Sequence, residues 1–236
     1  MRAADAMRTR IEHVADELLG IPGDRRSRFQ ALVVPFLDSS TGEEVDGDRL
    51  SERELLNSVF LLIVAGYDTT VNLIANGILA LLQNPDQLAA LRADPSLMPA
   101  AVEEILRYDS PVNVATIRFT TEAIRIGDVD VPANELVMIS LLGANRDPAR
   151  FDDPDRLDLT RKPNGHLAFG HGIHHCLGAP LARLEGSIAL SKLLERFDRL
   201  ELATTGPTEY RNSTIMHGLR GLPVRCHRAD LPAGDA

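Results

Sequence analysis

Residues 169–178 read Phe169-Gly170-His171-Gly172-Ile173-His174-His175-Cys176-Leu177-Gly178, and the rest of the 236-residue chain is read outward from them. One cysteine stands at the mouth of a helical stretch, behind two glycines and among three histidines. Pro180 falls near the first turn of that stretch, where a missing N–H costs no bond, and the positive end of the helix dipole favours a deprotonated Cys176. Gly170 and Gly172 let the preceding loop run close to a flat ligand without side chains in the way. The segment asks for a metal on the sulfur and a planar group against the loop.

Outward from it, helical periodicity dominates. Leu181, Leu184, Ile188, Leu193 and Phe197 mark one face of the helix that follows, and the last thirty residues read as a hairpin ending near Cys226. Upstream, Ala144 to Asn164 is rich in Asp, Pro and Arg without a period and reads as irregular but compact. Short alternating runs between Val112 and Leu142, separated by Gly127-Asp128 and Pro132-Ala133, predict a small sheet. Shorter helices are expected around Asp86 to Arg92 and Met98 to Tyr108. Before them, Ser51 and Glu54 form a capping box for a helix from Glu52 to about Leu82, roughly 45 Å long at 1.5 Å per residue. Its middle is apolar on nearly every side, which predicts a buried central helix. Near the N-terminus, Ala4 to Leu19 has helical spacing, a second helix runs to about Leu37, and Asp38 to Asp48 is a polar connection. The fold class is mainly α with a minor β-sheet.

Composition bounds the function. A formal charge of −9 argues against a general nucleic-acid binder, because phosphate contacts need a basic face. Two distant cysteines give no disulfide framework, and no signal-peptide core opens the chain, so a cytoplasmic location is expected. Asp68, Thr69, Asn72 and Asn76 interrupt the most apolar stretch, which argues against a membrane span.

Four constellations carry chemistry. Cys176 with His171, His174 and His175 offers a zinc-like ligand set, but three of the four are consecutive, and neighbouring side chains on one backbone rarely converge on a tetrahedral centre. A single thiolate in a glycine-lined loop suits the proximal ligand of a haem, where it pushes electron density onto iron. In the central helix, Ala65-Gly66-Tyr67-Asp68-Thr69-Thr70 is poor helix material, and a local distortion is expected there. Asp68 beside Thr69 places an acid next to an alcohol, a ready proton relay; the plainer alternative is that the threonines bond back to carbonyls and Asp68 pairs with an arginine. Glu104 and Arg107, three apart on one helix face, can touch, and Arg156 in Pro154-Asp155-Arg156-Leu157 is a candidate third partner if the pair is buried. Arg118 sits in a strand-like run; beside a haem it would neutralise a propionate, and His174 would do the same from the loop.

Taken together and in this order, FGHGIHHCLG, AGYDTT, Glu104-x-x-Arg107 and PDRL resemble the cytochrome P-450 family, specifically its soluble bacterial members. The resemblance implies the C-terminal, haem-binding portion of that fold, haem b (iron protoporphyrin IX) as cofactor, and Cys176 as axial ligand of the haem iron. Phe169 would pack near the sulfur, and Gly170, Gly178, Ala65 and Gly66 would lie along the haem. His174 and Arg118 would hold propionates, Asp68 and Thr69 would activate oxygen, and Glu104, Arg107 and Arg156 would form a buried structural triad. The implied activity is a monooxygenase inserting one oxygen atom from O2 into a small organic substrate. Electrons would come from a ferredoxin or flavodoxin and its reductase, and a positive patch including Arg183 would suit an acidic ferredoxin.

The chain is little more than half the usual length of a family member. Residues 1–236 are therefore read as a single partial domain, truncated at its N-terminus. Residues 1–50 stand as shortened roof helices and a connector, and 51–236 as the central helix, triad, sheet, meander and thiolate loop. The rival reading is an inactive remnant or interaction module of the same family.

Overall fold

A computed structural model describes residues 50–228, apart from Pro163. The expected helices before Leu37, the connector and the roof region lie outside the described residues. The chain divides into two compact units, Met1–Ile63 and Val64–Ala236.

In the first unit, the described residues open helix α1 (Glu52–Gln83). The capping box forms reciprocally: the Glu54 N–H reaches Ser51 Oγ at 3.3 Å, and the Ser51 N–H reaches Glu54 Oε2 at 2.8 Å. Two of the donors that every helix start leaves without partners are thereby bonded.

In the second unit, α1 continues without a break through Ala65–Thr70, so the expected distortion is absent. Thr69 Oγ1 bonds back to the Ala65 carbonyl instead, which satisfies the hydroxyl without opening the ladder. Asn84 and Pro85 end α1 and start α2 (Pro85–Ala93). Asp94 then accepts the Ser96 N–H, capping a single 3-10 turn, Pro95–Leu97, that leads into α3 (Met98–Tyr108). Of these helices α3 is the most strongly sided. Its Ala101, Val102, Ile105 and Leu106 join Leu73 and Ala80 of α1 and Leu190 of α5 (Ala179–Arg196) in one buried core.

Three helices meet closely there because two contact points are glycines. A Cβ on Gly77 would stand 3.2 Å from Ile105 Cδ1, and one on Gly186 would stand 3.2 Å from Leu73 Cδ2. Truncating a core leucine such as Leu73 removes packing worth about 2–5 kcal/mol. The C-terminal half of α1 is thus a core element, although by length and composition alone the helix could cross a bilayer. Its fully buried Asn76 donates to the carbonyls of Asp109 and His217 at 3.2 and 3.1 Å. That amide belongs in a protein interior with carbonyl partners, since an unpaired one in hydrocarbon costs several kcal/mol.

Among the described residues the strands form three antiparallel ladders. Strand β1 (Arg118–Phe119) pairs with β4 (Leu136–Val137), and β2 (Ile124–Ile126) with β3 (Val129–Val131) around the Gly127 turn. After the short helix α4 (Leu141–Ala144), residues 145–162 contain no regular helix or strand, in line with the irregular segment expected over Ala144 to Asn164. The C-terminal reading holds in part. Tyr210 and Leu219 form a local antiparallel bridge within the last thirty residues, but strand β6 (Val224–His227) pairs with β5 (Arg199–Leu202), placing Cys226 opposite Leu200 across a long connection.

The apolar face that the sequence marks on α5 is largely exposed. Leu181, Leu184 and Ile188 are all more than half exposed, and the helix packs on Ala179, Gly186 and Leu190 instead. The small Gly186 brings its inner side close to α1 and α3, leaving the stripe exposed.

Candidate functional site

The cysteine loop is built by local hydrogen bonds. The Gly170 N–H reaches the Leu167 carbonyl at 2.8 Å, a 3-10 turn spans Gly172–His174, and the His175 N–H closes on the Gly172 carbonyl at 3.0 Å. The Cys176 N–H then returns to the Phe169 carbonyl at 2.9 Å. Gly170 and Gly172 have φ of 73° and 77°, a region that side chains disfavour, and a Cβ on Gly172 would meet nothing within 4 Å. The loop therefore turns tightly while keeping an uncluttered face. Cys176 is exposed, next to Gly178 at the start of α5.

Around it lies an apolar surface uncommon for solvent. Ile173 is 97% exposed and Leu177 87%. From Leu177 the stripe continues through Leu181, Leu184 and Ile188, spaced to share one helix face. A contiguous apolar face of this kind marks a ligand or partner site. A thiol at the N-terminal end of a helix, glycines in the loop, and a broad greasy face fit a flat, largely apolar macrocycle carrying a metal. Among the described residues, no group of three or more His, Cys, Asp or Glu side chains converges to hold a bare metal ion.

Arg118, in β1, is partly buried and bonds its own turn, donating to the Thr116 carbonyl and hydroxyl and the Ile117 carbonyl. Among the described residues it has no carboxylate partner, so its charge can meet an anionic group. His174, exposed at the end of the 3-10 turn, is the second such candidate.

The acid and alcohol of α1 are connected to α5. Thr70 Oγ1 donates to Glu185 Oε2 at 3.0 Å, so the turn carrying Asp68 and Thr69 is tied to the helix that begins after Cys176. Gly66 has open space at its missing Cβ. Asp68 pairs with Arg211 at 3.7 Å, both groups about half exposed, and Thr69 bonds back to Ala65, as the plainer of the two sequence readings has it. The structure thus gives Asp68 a cation from residues 203–223, which the sequence did not single out.

The carboxylate–arginine pair is buried and saturated. Arg107 is 0% exposed and Glu104 1%. Arg107 donates from Nε and Nη2 to the two oxygens of Glu104, each at 2.8 Å. Its other three N–H groups reach the carbonyls of Asn145 at 3.0 Å, Pro154 at 2.8 Å and Arg156 at 3.0 Å. Glu104 further accepts from the Asp158 N–H, Arg161 Nε and Asn164 Nδ2. The expected triad is corrected here: Arg156 contributes its carbonyl while its side chain is exposed, and the second guanidinium on Glu104 belongs to Arg161 at 3.2 Å. The Arg156 side chain lies instead near Asp86 and Asp158, whose carboxyls it helps hold below the usual range after the hydrogen bonds from Gln87 and Thr160 respectively.

Arg183 also differs from expectation. Rather than offering its charge to a partner, it pairs with Glu103 through Nε at 2.6 Å and Nη2 at 3.0 Å.

Comparison with known proteins agrees with this geometry. The family model described as Cytochrome P450 matches residues 4–219. Cytochrome P450 107B1 of Saccharopolyspora erythraea is 61% identical over 181 residues, covering 76% of this chain and 45% of that protein. The vitamin D(3) 25-hydroxylase of Pseudonocardia autotrophica is 55% identical over 247 residues, covering 88% and 61%. The solved structure of the tirandamycin C-bound P450 monooxygenase TamI superposes with a TM-score of 0.78 at 45% identity, over 95% of this chain and 54% of that one. The chain thus spans about half the length of the relatives it matches. With the cysteine loop, the central helix and the buried glutamate–arginine pair in one chain, and with these matches, this chain belongs to the cytochrome P450 family.

Proposed function

We propose that this chain supplies the haem-thiolate half of a bacterial monooxygenase, inserting one atom of O2 into a small organic substrate in the cytoplasm. The observation that carries the reading is the exposed Cys176, framed by open-faced glycines on a broad apolar surface at the start of α5. When bound, haem b would supply the reductive activation of dioxygen. Cys176 sulfur would hold the iron from one side. Ile173, Leu177 and the α5 stripe would cover the macrocycle's apolar body and exclude water, which limits side reactions. Arg118 and His174 would meet its two carboxylates. Asp68 would pass a proton inward from solvent once Arg211 releases it, and the Thr69 hydroxyl would orient the acceptor of that proton. Phe169, Gly170, Gly178, Ala65 and Gly66 would give the flat group clearance and contact. Two electrons would arrive from a ferredoxin or flavodoxin and its reductase.

The test is expression of the full chain with added haem precursor, followed by reduction under carbon monoxide. The red-shifted Soret band of thiolate-ligated ferrous carbonyl is expected, and Cys176→Ser should abolish it. A native chain that takes up no haem would overturn the reading. Stoichiometric haem without product from any substrate, in the presence of both redox proteins, would reduce it to cofactor retention.

A further inference from the structure

Glu103 and Glu104 are neighbours on α3, yet they serve different parts of the molecule. Glu104 faces the meander, as described above. Glu103 reaches the cysteine loop and α5: its Oε1 accepts from Arg183 Nε at 2.6 Å, and its Oε2 accepts from Arg183 Nη2 at 3.0 Å and lies 3.2 Å from His166 Nε2. The His166 tautomer follows from its other nitrogen. Nδ1 accepts the Ala168 N–H at 3.2 Å, so the ring proton sits on Nε2 and is donated to Glu103.

This cluster ends on the thiolate loop. The Arg183 guanidinium lies over the Phe169 ring, 4.6 Å from its centroid, and the His166 ring is 6.0 Å from the same centroid. The Phe169 carbonyl in turn receives the Cys176 N–H at 2.9 Å. Four side chains thus form a continuous path from α3 to the backbone of the metal-ligand residue. Desolvation pushes the Glu103 carboxyl up, but hydrogen bonds from His166 and Arg183 outweigh it and hold the group at about 2, so it stays charged and paired. Its hydrogen bond to Arg183 likewise pushes that guanidinium up.

We propose that Glu103, His166 and Arg183 form a positioning strut that fixes the Phe169 ring and, through the Phe169 carbonyl, the orientation of Cys176. The inference rests on the haem-thiolate reading for its purpose, but its geometry is a property of the protein alone. None of the three is a catalytic residue. A solvated ion pair would hold nothing in place, since exposed pairs gain little. This one is a two-pronged fork with a stacked ring and a third donor whose side chain is only 3% exposed. The strut also fixes the role of Arg183: its charge is matched within the chain.

The experiment compares the full chain with Glu103→Gln, Arg183→Lys and, as a control elsewhere on α5, Lys192→Gln, which breaks only an exposed pair with Glu195. The first readout needs no haem: amide hydrogen exchange of Cys176 in metal-free protein, measured residue by residue. At least about tenfold faster exchange at Cys176 is expected in both strut variants, with the control unchanged, because each loses a charge-assisted bond that restrains the loop. Equal exchange in native and strut variants would overturn the proposal. So would equal acceleration at core amides such as those of Ile105 and Leu106, which would make the role generally structural. Native behaviour in Arg183→Lys would also overturn it, since lysine keeps the charge and loses the fork and the stacking. The second readout is the share of haem-loaded protein giving the thiolate-type ferrous carbonyl band, expected to fall by at least about half in both strut variants on the same energetic ground. If the native chain itself gives no such band, the proposed function fails, and the exchange comparison still decides the strut.

Discussion

Replacing Arg107 by lysine tests how the core is anchored, because charge and stem length are nearly kept while geometry is lost. Arg107 has five N–H groups and the structure supplies five acceptors, two on Glu104 and three backbone carbonyls. An ammonium has three donors, so at least two of these five bonds are lost in a site with no solvent access. At about 1.5–3 kcal/mol for each bond involving a charged group, the expected loss is about 3–6 kcal/mol. That brackets the ~3–5 kcal/mol found when a buried pair is broken. Against a total stability of about 5–15 kcal/mol, the variant should be close to unfolding at room temperature. The chain has no tryptophan, so urea unfolding is best followed by far-ultraviolet circular dichroism. A lowered midpoint with an unchanged slope is expected. A loss below about 1 kcal/mol would refute the reasoning, because two lost charge-assisted bonds in a buried site cannot be so cheap.

Two further perturbations follow from the same network and its neighbour. Arg156→Ala should stay within about 0.5 kcal/mol of the native chain, since the side chain it removes is exposed, whereas Arg161→Ala should cost about 1–3 kcal/mol; urea midpoints with the opposite order would restore Arg156 as the third arginine. Glu103 has its folded-state value lowered from 4.5 to about 2. Its contribution to stability is therefore complete above 4.5 and is lost as the pH falls from there towards 2. After discounting for solvent screening, that contribution is about 1–2 kcal/mol, and Glu103→Gln should flatten the acid-side decline of the urea midpoint by this amount between about pH 5 and pH 3. A decline of equal steepness in both proteins would assign the acid sensitivity to other carboxylates.

Much of the site was legible in the sequence because it is locally encoded. The loop from Phe169 to Gly178 closes on itself through bonds between near neighbours, and its glycines and the following Pro180 announce its shape. Helix α1 declared its start through Ser51 and Glu54 and its end through Asn84-Pro85. The failures share a cause. The second guanidinium on Glu104 was assigned to Arg156 because a side chain in a motif is visible to a reader of sequence and a backbone carbonyl is not. Arg156 does meet Arg107, through its main chain, and the side-chain role fell to Arg161, set by how the meander folds. Periodicity marks an apolar side on α5 through Leu181, Leu184 and Ile188 but not what that side meets, and in the structure these three are more than half exposed. Arg183 resembled a free surface cation until Glu103, 80 residues earlier, was found beneath it. Long-range pairing of that kind leaves no spacing signal.

The anchoring of Arg107 has a consequence for how this region can evolve. Three of its five acceptors are main-chain oxygens at Asn145, Pro154 and Arg156, and every amino acid carries such an oxygen. As far as this anchor is concerned, positions 154 and 156 are free to drift while the path of the chain is kept. Position 145 is less free, since the Asn145 side chain also receives the Leu167 N–H at 2.6 Å. Selection at the meander therefore acts on its trajectory and length, and an insertion or deletion between 145 and 161 should be far less tolerated than a substitution at its exposed positions.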